Sequence, residues 1–101
     1  MKDGFVKVAA GTPEIRVADC MFNAEQIVAL MKQAAEQGVK ILALPELCVT
    51  GYTCGDLFYQ ETLHNAVEKG LREILACSAE HPAVTVVVGL PVRLGMKILN
   101  C

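Results

Sequence analysis

Apolar positions fall into two kinds of pattern along this chain. Three short, nearly unbroken apolar runs, Phe5–Ala10, Val39–Leu44 and Val84–Leu90, are separated by longer stretches of helical periodicity. The first periodic stretch carries Ile27, Leu30, Met31 and Ala34, the i, i+3, i+4, i+7 stripe of an amphipathic helix. Asn23 reads as its N-cap, with Gln26 three residues on completing a capping box, and Gly38 reads as the residue that stops it. The second stretch, Glu61–Ser78, carries Leu63, Val67, Leu71, Ile74 and Leu75 on one face, and His81-Pro82 ends it. The runs themselves read as strands. The third, almost all valine, reads as a strand buried on both faces. Gly11-Thr12-Pro13, Pro45 and Pro91 close the three strands, because a proline cannot extend them as interior ladder positions. Val92–Cys101 reads as a hairpin turning at Gly95 into a fourth strand of the same sheet. The predicted order is therefore β-α-β-α-β-β, an α/β sheet with parallel neighbours joined by helical crossovers.

Composition changes this picture in one respect. The apolar share is 53% of 101 residues, above the usual range of roughly 45–50%. A small domain has much surface for its volume and should be less apolar than average, not more. The excess predicts that these residues, 1–101, are a piece of a larger fold, or that they associate with another copy. Net charge adds only exclusions. The chain carries −2 overall, with nine basic residues scattered singly, so no basic stripe exists to follow a nucleic-acid backbone. No apolar run approaches the ~20 residues a membrane helix needs. The opening Met1-Lys2-Asp3-Gly4 leads straight into a strand without a signal-peptide core, so a cytoplasmic location is expected. Five cysteines without a CxxC pair fit neither a metal finger nor a disulfide framework, and no metal site is expected.

Candidate chemistry concentrates where the second strand ends. Glu46 follows an apolar run and a proline, which places a carboxylate at the carboxyl end of a strand, where open α/β sheets hold their functional residues. Its neighbours, Leu47-Cys48-Val49, predict apolar and partly buried surroundings, which would favour the protonated form and suit a general base. A carboxylate that caps a turn or points to water accounts for the pattern equally well. Cys48 and Cys54 flank the following loop, but neither has a base or cation nearby in sequence to activate it, so both read as apolar fillers. Asp56 reads as a turn cap after Gly55, Tyr52 as a pocket or packing residue, and His64 and His81 as surface or capping residues of the second helix.

The stretch Pro45-Glu46-Leu47-Cys48-Val49-Thr50-Gly51-Tyr52, after its apolar strand, resembles the glutamate motif of the nitrilase, or carbon–nitrogen hydrolase, superfamily. Thr53-Cys54-Gly55-Asp56-Leu57-Phe58, the opening Gly4–Ala10 and Val88-Gly89-Leu90-Pro91-Val92 are similar to the glutaminase branch attached to bacterial glutamine-dependent NAD⁺ synthetases. The resemblance covers essentially the whole chain. It implies about half of an α-β-β-α sandwich and amide hydrolysis by a glutamate–lysine–cysteine triad. Glu46 would be the general base, and Tyr52 would lie near the substrate. The triad's lysine and cysteine would lie further along than Cys101, so the segment alone would be inactive. Glutamine would be the substrate and its ammonia the product. ATP, Mg²⁺ and deamido-NAD would belong only to a separate synthetase domain. Two other readings stay open: an amidase acting on another small amide or nitrile, and a non-catalytic domain that self-associates through uncovered sheet surface.

Overall fold

A computed structural model describes residues 4–51 and 54–101. Three parallel strands, β1 (Val8–Ala10), β2 (Ile41–Ala43) and β3 (Thr85–Val87), lie side by side in chain order. The register pairs Ala9 with Leu42 and Leu42 with Val86. Helix α1 (Cys20–Glu36) links the first two strands, and a 3₁₀ turn (Gly55–Tyr59) with helix α2 (Glu61–Glu80) links the second and third. A hairpin, β4 (Pro91–Leu94) and β5 (Lys97–Asn100), follows. The expected α/β class and parallel order stand. The hairpin, however, forms a two-stranded sheet of its own instead of continuing the first.

Both helices cover the same side of the sheet. Period-two alternation sends Ala9, Leu42 and Val86 toward them and Val8, Ile41 and Val87 away. Ala24, Ile27, Met31 and Ala34 from α1 meet Leu63, Val67, Ile74 and Cys77 from α2 in one core that includes Leu42 and Val84. The helices cross closely at Gly70, where a Cβ would stand 3.2 Å from the carbonyl oxygen of Cys20 and 3.5 Å from the Cβ of Ala24. Two expectations need correction here. The third strand is not buried on both faces: Val87 is 54% exposed, as Val8 is 63% and Ile41 41%. The run of valines reflects β propensity on a sheet with one covered side. Leu75 does not belong to the buried face of α2 and is 58% exposed, because it lies beside Ile74 and so points round the helix from it.

Helix α1 also starts earlier than its apolar stripe suggests. Asp19 is the N-cap, its carboxylate accepting the Phe22 backbone N–H at 3.2 Å. Asn23 lies inside the helix and is fully buried. Gly38 does stop it, with φ +74°.

Candidate functional site

The chain leaves β2 through Leu44 and Pro45, and Glu46 opens a turn that runs to Thr50. Leu47 takes φ +51°, a left-handed conformation that is unusual for a bulky side chain. The turn closes on itself as Leu47 accepts the backbone N–H groups of Thr50, at 3.2 Å, and Gly51, at 2.7 Å. Three neighbours then fix its position. On one side, Gly89 lies against it so closely that a Cβ there would stand 2.4 Å from the Leu47 nitrogen and 2.7 Å from the Pro45 oxygen. The Gly89 carbonyl also accepts the Val49 backbone N–H at 3.2 Å and the Cys48 thiol at 3.6 Å. On the second side, the Ala18 N–H donates to the Thr50 carbonyl at 2.8 Å, and the Cys54 thiol reaches the same oxygen at 3.2 Å.

The third neighbour is Asn23. Its Nδ2 donates to the carbonyls of Val49 and Arg16, each at 2.8 Å, while its Oδ1 accepts the Arg16 N–H at 2.7 Å. One side chain thus joins helix α1 to the loops that leave β1 and β2. Sequence reasoning read Asn23 as a cap. The signal that could have placed it is its spacing: it precedes Ile27 by four residues and Met31 by eight, so it sits on the apolar stripe. A polar residue there must find internal partners.

Glu46 itself is exposed, not partly buried as its apolar neighbours suggested. Cys48 and Val49 are buried beneath it, Leu47 is half-buried, and the carboxylate stands at the rim. It lines a groove of about 280 Å³ together with Leu44, Pro45, Val87, Val88, Gly89, Asn100 and Cys101. The Asn100 amide donates to its Oε2 at 3.4 Å. A second groove of about 270 Å³, lined by Leu47, Gly55, Phe58, Pro91, Ile98, Leu99 and Asn100, adjoins it, and Asn100 borders both.

Two thiols near this turn, Cys20 and Cys48, are shifted toward their neutral form. Burial pushes Cys20 from 9.0 up to about 11, with the charges of Cys54 and Asp19 adding to it. Burial also raises Cys48 against the lowering effect of the Gly89 hydrogen bond, and raises Cys77 on α2. A raised thiol is a poor nucleophile. Cys101 is exposed and borders the Glu46 groove. His64 pairs its Nε2 with the Phe58 carbonyl at 2.6 Å, which makes that nitrogen the donor and ties α2 to the 3₁₀ turn. His81 caps the end of α2. Tyr52 lies outside the described residues, and so does the side chain of Asp56. Among the described residues, no group of three or more His, Cys, Asp or Glu is placed to hold a metal ion. No helix among them is long and apolar enough to cross a membrane.

Comparisons with known proteins bear on the family and the fold. The sequence pattern of the family described as carbon-nitrogen hydrolase matches residues 7–101. The chain is 36% identical over 97 residues to a glutamine-dependent NAD(+) synthetase of Mycobacterium leprae, covering 96% of this chain and 14% of that protein. A glutamine-dependent NAD(+) synthetase of Xylella fastidiosa is 31% identical over 97 residues, with 95% of this chain and 17% of that protein covered. Among solved structures, a glutamine-dependent NAD(+) synthetase from Cytophaga hutchinsonii superposes with a TM-score of 0.81 at 30% identity, over 95% of this chain and 16% of that one. One from Acinetobacter baumannii, at 22% identity and a TM-score of 0.78, shares the fold. The chain thus spans about one seventh of the length of the Mycobacterium relative.

Proposed function

The chain belongs to the carbon–nitrogen hydrolase family, and from that premise we propose that it serves amide hydrolysis, with glutamine as substrate and ammonia as the product passed to ATP-dependent NAD⁺ synthesis in the complete protein. The observation that carries this reading is the placement of Glu46. It stands at the carboxyl end of β2, on a turn held from three sides, and it borders an open groove. A general base needs that combination of fixed backbone and accessible carboxylate.

In this reading Glu46 takes the proton of a cysteine nucleophile, which attacks the carboxamide carbon; the proton passes to the leaving nitrogen, ammonia departs, and water then cleaves the thioester to release glutamate. The nucleophile is not one of the buried thiols. Cys20, Cys48 and Cys77 are raised above their ordinary range, and Cys54 is buried with its thiol bonded to backbone carbonyls. The lysine and cysteine of the triad are assigned to further parts of the complete protein. ATP, Mg²⁺ and deamido-NAD are assigned to a synthetase domain, and none is assigned to residues 1–101. Substitution Glu46→Gln in the complete protein is expected to lower ammonia release from L-glutamine by at least about 10²-fold, the low end of what a general base contributes. NAD⁺ formation from free ammonia should persist. Glutamine hydrolysis at the wild-type rate in that variant would refute the assignment. A hydrolase acting on another small amide or nitrile would show the same loss with its own substrate and no glutamine turnover.

A second reading has its own support. The outward sheet face presents Val8, Ile41 and Val87 to solvent, and the hairpin exposes Leu94 and Met96. Exposed apolar surface of this kind favours association, so the 101-residue chain alone is assigned a self-associating state.

A further inference from the structure

The contact between Asn100 and Glu46 joins residues 54 positions apart, and backbone contacts hold the segment that carries each of them. Gly89 lies against the peptide of Glu46, 2.9 Å separating its would-be Cβ from the Glu46 carbonyl carbon. The next residue, Leu90, exchanges both backbone hydrogen bonds with Cys101, at 2.9 and 3.0 Å. Asn100 stands one step along the ladder, opposite Pro91. In an antiparallel ladder, hydrogen-bonded and non-hydrogen-bonded pairs alternate, so Pro91 occupies a position where no N–H is asked for. The ladder therefore reaches the Glu46 groove intact, and it delivers an amide side chain to the carboxylate. An ionised carboxylate only accepts, so Nδ2 is the atom that must face Oε2.

We propose that Asn100 is a positioning residue for the Glu46 carboxylate, its Nδ2–H···Oε2 hydrogen bond helping to set the rotation of the carboxylate over the groove. The proposal rests on the reading of Glu46 as the general base. The last torsion of a glutamate is intrinsically broad, so a fixed backbone does not by itself fix the oxygens. A directional donor on a separate, laddered strand contributes to fixing them. The 3.4 Å separation suits this role, because catalytic hydrogen bonds are often long without substrate and tighten when it binds.

The test uses the complete protein and L-glutamine, with ammonia release as readout and thermal melting to confirm that each variant folds. Asn100→Ala should lower kcat by about 10- to 100-fold, the scale of a misplacement near 1 Å, with little change in KM. Asn100→Asp keeps the shape and adds a signature that packing alone would not give. Ionised, the new carboxylate offers no donor and repels Glu46; protonated, its O–H can donate. Its activity relative to wild type should therefore rise as pH falls, while the Asn100→Ala ratio stays level. Wild-type kcat in Asn100→Ala, or equal pH-independent losses in both variants, would overturn the proposal. Glu46→Gln separates the two ideas. If that variant still hydrolyses glutamine, the base reading fails and this inference with it. If it is inactive while both Asn100 variants match wild type, the positioning role alone fails.

Discussion

At the scale of single residues, the turn after β2 shows what a sequence does and does not disclose. The place of Glu46 just past the end of β2 was legible because a proline closes the apolar run before it, while its exposure was not, since its apolar neighbours suggested the opposite. Asn23 was misread, since a good N-cap residue and a buried polar clamp look alike until their partners are known. Asn100 gave no signal at all: its role depends on a contact with Glu46 that only the folded chain creates. Cys20 carries a prediction that belongs here. Its thiol ionises near 9.0 ordinarily but near 11 when folded, so the folded state holds the proton longer than the unfolded state does. The stability this gives is fully present below the unfolded value and is lost as pH rises through the folded one. The loss over that window is of order 2 kcal/mol for two units of difference. Comparing urea midpoints at about pH 8 and about pH 10 should show a drop in wild type that is smaller in Cys20→Ala.

At the scale of elements, the sequence marked where strands and helices lie better than where they end or what covers them. Each apolar run is six or seven residues long, yet each strand pairs over three. The surplus residues, such as Leu44 and Gly89, leave the sheet to build the turn and its support. Their hydrogen bonds continue the ladder singly, as in Leu44 N–H to the Val87 carbonyl at 3.0 Å. Gly89 is the most demanding of them. A methyl group there would meet backbone atoms at 2.4 and 2.7 Å, and the turn they belong to is held elsewhere by Asn23 at the Val49 carbonyl and by Ala18 at the Thr50 carbonyl. Gly89→Ala should therefore cost about 3 kcal/mol, at the upper end of overpacking effects, measured as a lower urea midpoint. It should also reduce glutamine hydrolysis in the complete protein by displacing Glu46. An unchanged midpoint would mean the turn can yield, contrary to the geometry.

At the scale of the whole molecule, the composition was a better guide than the strand pattern. The apolar excess pointed to surface needing cover, and Val8, Ile41 and Val87 are that surface. The valine run misled because a strand buried on both faces and a strand buried on one share the same residues when the second face is apolar too. Sedimentation of the 101-residue chain should show concentration-dependent association, and Ile41→Lys, which puts a charge at the centre of the open face, should weaken it. A monomer at every concentration would remove the self-associating reading.

The contact between Gly89 and the Glu46 turn also sets an order in time. The turn's last supports, Gly89 and Val87, come some forty residues after the residues they hold. Parallel pairing of this kind requires closing a long loop before any contact rewards it. Helix α1 can form and Asn23 can gather its carbonyls early, but the backbone of the turn is not held on its Gly89 side until β3 arrives. The site is thus among the last parts of the chain to be assembled, and among the first to be lost when β3 comes away.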